Sequence, residues 1–139
     1  MKILQISDPI AQALGSWSQE LGVGAVALRI GLVIVLASVI GCERSSKRHS
    51  AGLRTFVLVS FASTVSMMLD VYLMEAFGCR IPVLSGAAVI AAALVSGNSI
   101  LFSSRSQIKG LTTSAGLWAC SILGFTVGAG LYTIGLIAY

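Results

Sequence analysis

From Gly22 to Gly41 the chain carries one ionisable side chain, Arg29, in a run otherwise built of apolar and small residues. As a helix rising 1.5 Å per residue, that run is roughly 30 Å long, the thickness of the hydrocarbon layer of a bilayer. A second run, Leu53 to Phe77, holds only Arg54, Asp70 and Glu75 as charges. Between the two lies Gly41 to Thr55, which concentrates Arg44, Lys47, Arg48 and Arg54 with the one histidine, His49. Short loops this basic are retained on the cytoplasmic side, so this hinge orients both neighbouring spans.

Composition agrees with spans rather than a water-soluble core. Apolar residues make up 56%, charged residues 10%, and the mean hydropathy is +0.94. Soluble domains carry about 25% charge, so water alone cannot solvate this surface, and one integral membrane domain is expected. The net charge of +4 is not a nucleic-acid signal, because the bases flank spans and no aromatic residues interleave with them.

The rest of the chain extends the pattern. Gly78, Cys79 and Arg80 turn the chain on the outside, and Pro82 opens a third span from Ile81 to Phe102. Its Ala88, Ala92 and Ser96 recur every fourth position, and Asn98 is placed to hydrogen-bond across a helix interface. Ser103 to Lys109, with Arg105, is a second basic loop, and a fourth span runs from Leu111 to Ala138. Thr112, Gly116, Cys120, Gly124 and Gly128 form a small-residue ridge on it, a packing face within one chain or between two copies.

Residues 1–21 are too polar to span. Asp8 and Pro9 read as an N-cap and first-turn pair, and Ile10, Leu14, Trp17 and Leu21 recur at helical spacing. A short amphipathic helix in the interface is expected, with Asp8, Gln12, Ser16, Gln19 and Glu20 facing water.

The expected fold is an all-α integral membrane protein. Four transmembrane helices at 22–139 form two parallel helical-hairpin repeats, preceded by the interfacial helix at 1–21, with both termini periplasmic. The repeat is suggested by an echo: Ala51-Gly52-Leu53-Arg54-Thr55 and Lys109-Gly110-Leu111-Thr112-Thr113 each open a span after a basic loop. Each echo sets a helix N-terminus beside basic residues. Arg54, Thr55, Thr112 and Thr113 are therefore candidates for an anion or partner-carboxylate site, with plain helix capping as the alternative, and Glu43 and Arg44 are functional candidates on the same basic face.

Charges inside spans are costly and point to function or to a buried partner. Arg29 and Asp70 both fall in the outer halves of their helices, so an ion pair between them is one expectation. Snorkelling of Arg29 to the outer headgroups is the other. No catalytic set is visible: His49 has only Glu43 as a nearby carboxylate in sequence, and Cys42, Cys79 and Cys120 are scattered. Glu43, Asp70 and Glu75 sit at opposite ends of the spans, which leaves any metal ligand set undefined. Neither a cofactor nor an enzymatic activity is expected.

Arg29, Gly41, Glu43-Arg44 and Ala51 to Thr55 resemble the MgtC/SapB membrane domain in identity and spacing. In the second half Ser96-Gly97, Gly110 to Thr113, Leu117-Trp118, Gly124, Gly128, Gly130 and Tyr132 resemble that family's glycine-leucine-threonine-threonine helix. The resemblance spans Leu28 to Tyr132. It implies a bacterial inner-membrane protein linked to magnesium limitation, acid stress or survival inside host cells. It departs from the family where Gly86 and Val89 stand in place of an Asp and an Arg ahead of the third span. It departs again where Asn98 to Phe102 replaces a glycine-rich run, and it ends at Tyr139, where many relatives continue into a fifth span and a soluble domain.

Two functions fit. The first is a non-enzymatic regulator working through the bilayer, a second copy or another membrane protein. The second is a small oligomeric magnesium transporter or channel lined by Arg29, Asp70, Asn98 and the Ser and Thr residues of the spans. Whether those polar groups converge separates the two.

Overall fold

The computed structural model describes residues 8–18, 21–46, 51–78, 81–98, 100–102 and 108–139. In chain order they form α1 (Pro9–Leu14), a 3-10 turn (Ser16–Ser18), α2 (Val23–Ser46), α3 (Leu53–Phe77), α4 (Val83–Gly97), β1 (Leu101–Phe102), β2 (Ile108–Lys109), α5 (Leu111–Gly128) and α6 (Tyr132–Ala138). The two strands pair antiparallel, Leu101 opposite Lys109 and Phe102 opposite Ile108. Helices α2, α3 and α5 are long and apolar enough to cross a membrane, and α4 is a shorter apolar helix.

Helix α3 is the hub, packing most extensively on α5 and α2. It runs parallel to α5: Phe56 lies against Gly116, Ser60 bonds the Cys120 carbonyl, and Thr64 bonds that of Gly124. Helix α2 runs the other way, so that a Cβ on its Gly41 would meet Leu53 Cα at 2.8 Å. Two apolar clusters fill the bundle. Ala11, Val33, Val127 and Tyr132 lie at one end, and Ala51, Phe56, Leu117 and Cys120 at the other. Outward-facing Leu58, Ile90 and Leu94 are about two-thirds exposed (64%, 65% and 66%), as a surface solvated by lipid requires.

Three expectations are corrected. The third span is not a helix from Ile81 to Phe102, because α4 stops at Gly97 and the chain turns through Asn98 into the ribbon. Gly and Asn are natural helix terminators. Asn98 is an exposed C-cap residue, not a bond across an interface.

The fourth span is not one helix to Ala138. It breaks at Ala129 and Gly130, where Gly130 takes φ +82° and Leu131 N–H donates to the Thr126 carbonyl. Helix α6 then turns back along α5: Gly135 abuts Thr126 and Val127, and Tyr139 lines a cavity together with Ile40, Ala115 and Trp118.

The N-terminal segment is not one amphipathic helix to Leu21. Gly15, at φ +94°, ends α1, and Ile10, Ala11 and Leu14 pack into the first apolar cluster. Asp8 N-caps α1 as expected but is buried instead of facing water. The expectations for Gln19, Glu20, Lys47, Arg48, His49, Cys79, Arg80 and the loop residues 103–107 lie outside the described residues.

Candidate functional site

Each long helix leaves orphan N–H groups at its start and orphan carbonyls at its end, and a charge of the right sign at either end is favourable. The ionised side chains buried at the α1 end of the bundle are used in this way. Arg29, 2% exposed, sits near the start of α2 and reaches the last turn of α5, donating from Nη1 to the Gly128 carbonyl at 3.0 Å. Its Nη2 donates to the Ser18 carbonyl at 3.1 Å and its Nε to the Tyr132 hydroxyl at 3.2 Å. Tyr132 in turn donates to Ser18 O at 3.2 Å. The guanidinium thus ties the 3-10 turn, α2, α5 and α6 together. A Cβ at Gly130 would lie 3.1 Å from Nη2, and the positive φ there independently favours glycine.

Asp70, also 2% exposed, performs the opposite task. Near the end of α3, it accepts from the first-turn amides of α4, Leu84 N–H at 3.0 Å and Ser85 N–H at 2.6 Å. Pro82 precedes α4 without a side-chain cap, so Asp70 supplies the cap from another helix. Arg29 and Asp70 therefore serve different helix ends, and the expected ion pair between them does not form.

Asp8 caps two helices. Oδ1 accepts from Ile10 and Ala11 N–H at 3.0 and 3.2 Å, while Oδ2 accepts from Thr133 N–H at 2.9 Å at the start of α6. Burial pushes this carboxyl up, but the Thr133 hydroxyl and the Thr133, Ala11 and Ile10 amides outweigh it and hold the pKa below the ordinary 3.8.

The small-residue ridge packs inside the chain, against α3. A Cβ at Gly124 would fall 2.5 Å from Ser60 O, and one at Gly128 2.7 Å from Thr64 O. This closeness brings the hydroxyls into play. Ser60 Oγ donates to Cys120 O at 3.1 Å, Thr64 Oγ1 shares its proton between Ser60 O of its own helix at 2.8 Å and Gly124 O at 3.0 Å, and Ser63 and Ser121 bond each other at 2.8 Å. Thr112, expected on the ridge, is exposed, and Thr113 is the buried member of the pair. One residue of phase along the helix decides between them.

The other candidates lie at the opposite, basic end. Glu43 and Arg54 are exposed, Arg44 and Thr55 half-buried. Helices α3 and α5 both start there behind glycines, Gly52 and Gly110, with no side-chain cap. Thr113 is fully buried and its Oγ1 makes no hydrogen bond. The structure thus gathers Glu43, Arg44, Arg54, Thr55, Thr112 and Thr113 at one end and Arg29 and Asp70 at the other. Sequence reasoning named Tyr132 only within the family motif, without a partner, and missed Ser18 and Thr133. The available signal was the Gly128-Ala129-Gly130 break, which returns a tyrosine toward Arg29. Among the described residues no group of three or more His, Cys, Asp or Glu side chains could hold a metal ion. Cys42 and Cys120 are free thiols.

Comparison with known proteins places this sequence in a family. The MgtC family profile matches residues 30–139. YhiD of Escherichia coli K12 is 29% identical over 115 residues, covering 78% of this chain and 53% of that protein. SapB of Bacillus subtilis 168 is 30% identical over 118 residues (77% and 49%), and MgtC of Brucella abortus 2308 is 30% identical over 104 residues (75% and 42%). The chain spans about half the length of these curated relatives. No solved structure gives a significant match. With three helices long enough to span, a fourth apolar helix and a profile match over most of its length, the chain is a multi-pass membrane protein that belongs to the MgtC family.

Proposed function

We propose that the chain is a non-enzymatic protein of the bacterial inner membrane that acts through other membrane proteins in adaptation to low magnesium, acid or host stress. In this reading α2–α3 and α4–α5 are two parallel hairpins whose basic end faces the cytoplasm. The observation that carries it is the use made of the polar groups within the spans. Arg29 bonds backbone carbonyls and Tyr132, Asp70 caps α4, and Ser60, Ser63 and Thr64 bond α5. Each closes a helix contact instead of facing a shared path, and hydroxyls that cement helices are a common use of Ser and Thr in membranes. In this reading a partner docks at the basic end, from Glu43 to Thr55.

The alternative is a small oligomeric magnesium transporter or channel. The provisional name of the Escherichia coli relative as a magnesium transporter favours it. Magnesium entry into liposomes containing the folded, inserted protein separates the two. The regulatory reading expects no saturable flux above that of empty liposomes, together with co-purification of membrane proteins that is lost on Arg44→Gln with Arg54→Gln. Saturable flux from the wild-type protein refutes it.

A further inference from the structure

Helices α3 and α4 do not close on each other along their whole length. A groove of about 370 Å³ runs between them, with Leu58, Ala62, Ala88, Ala91 and Val95 along it and Arg54 at one end. It exists because Ala62 on α3 faces Ala88 and Ala91 on α4, where larger side chains would fill the space. The charge is confined to the end where α3 begins. There Gly52 offers no side-chain cap; Thr55 N–H donates to the Gly52 carbonyl, so the open amides are those of Leu53 and Arg54. Arg54 is exposed, and among the described residues no hydrogen bond or ion pair holds its guanidinium.

The dimensions choose the occupant. From Arg54 to Ala62 a helix rises about 12 Å, close to one leaflet, half of the roughly 30 Å hydrocarbon layer. A second copy's transmembrane helix would want an apolar seam through the full thickness, with no cation at its mouth. A ligand with an anionic head and one leaflet's depth of chain matches both the length and the charge. We propose that this groove holds one acyl chain of an anionic phospholipid, whose phosphate lies against Arg54 and the open amides of the first turn of α3.

The test is lipid retention. Purified full-length protein in detergent is titrated with dioleoylphosphatidylglycerol or dioleoylphosphatidylcholine, and bound lipid is counted by native mass spectrometry. One phosphatidylglycerol is expected to bind in preference to phosphatidylcholine. Arg54→Gln should weaken it about five-fold, the effect of removing one base worth about 1 kcal/mol near anionic headgroups, and should level the two lipids. Ala62→Leu and Ala91→Leu, both at exposed positions, should expel the chain with Arg54 intact, their helicity being checked by circular dichroism.

Equal retention of the two lipids by the wild-type protein overturns the proposal. So does inorganic phosphate that binds wild type and Ala91→Leu alike and fully displaces phosphatidylglycerol, since the site would then be an anion site without a groove. Efficient disulfide cross-linking of Ala91→Cys between two copies in phosphatidylglycerol vesicles also overturns it, by making the groove a helix-docking seam.

Discussion

Replacing Gly124 by Ala tests the close approach of α5 to α3 most directly. The added Cβ would lie 2.5 Å from Ser60 O, 2.9 Å from Ser63 Cβ and 3.2 Å from Thr64 Oγ1. Two of these contacts are under 3.0 Å and one is to backbone, so the helices must separate. Overpacking of this kind costs about 1–3 kcal/mol. Separation also stretches the Ser60 Oγ to Cys120 O and Thr64 Oγ1 to Gly124 O bonds, and such interhelical bonds are worth about 0.6 kcal/mol each in a membrane. The steric and hydrogen-bond losses come to about 2–4 kcal/mol. Alanine recovers about 1 kcal/mol of helix propensity over glycine, leaving a net loss of about 1–3 kcal/mol.

Gly86→Ala is the matched control. It lies within α4 with nothing within 4 Å of its added Cβ, so it should gain the propensity without the clash. The difference between the two variants isolates the packing effect at about 2–4 kcal/mol. Reversible unfolding in mixed micelles, followed by circular dichroism, measures both. If Gly124→Ala is as stable as Gly86→Ala, α5 is not seated on α3 as described.

Other outcomes follow from the helix-end charges and the orphan hydroxyl. Because Arg29 and Asp70 serve different helices, the destabilisations of Arg29→Ala and Asp70→Ala should add to within about 0.5 kcal/mol in the double variant; a larger coupling measured by unfolding would restore the ion pair. The Asp8 pKa is held below 3.8, so its contribution is complete above that value and is lost as pH falls through the lower folded-state pKa. Acidification below that ordinary value should loosen α1 from α6, read as a change in Trp17 fluorescence in a Trp118→Phe background. Asp8→Asn should abolish that transition, and an unchanged transition would contradict the assignment. Thr113→Val removes a buried hydroxyl that makes no hydrogen bond while keeping the shape, so it should be neutral or stabilising by up to about 1–3 kcal/mol; a comparable loss of stability would show that the hydroxyl is engaged.

The legible parts of this chain are those governed by local pattern. Apolar runs of membrane length identify α3 and the start of α2, although α2 runs on past the expected Gly41 to Ser46, and the Gly-Leu echoes mark the starts of α3 and α5. Asp8-Pro9 identifies the start of α1, and the spacing of Gly124 and Gly128 identifies a packing face. The site was legible as residue types but not as partnerships. Arg29 and Asp70 were visible as costly charges, yet nothing local says that each completes the end of a different helix. The shortness of α4 and the break before α6 were also hard to read, because Gly and Asn inside an apolar run are compatible with a continuing membrane helix until packing decides.

The sequence by itself determined that the chain must be solvated partly by lipid, where its basic segments lie and which family it belongs to. Those properties are sums over composition and short-range order, insensitive to how the helices are arranged. Only the tertiary structure decided which oxygens surround Arg29, which helix Asp70 caps, and that α6 turns back along α5. Such choices join residues as far apart as Asp8 and Thr133. They are made because every buried charge and orphan helix end must find its complement once water is excluded.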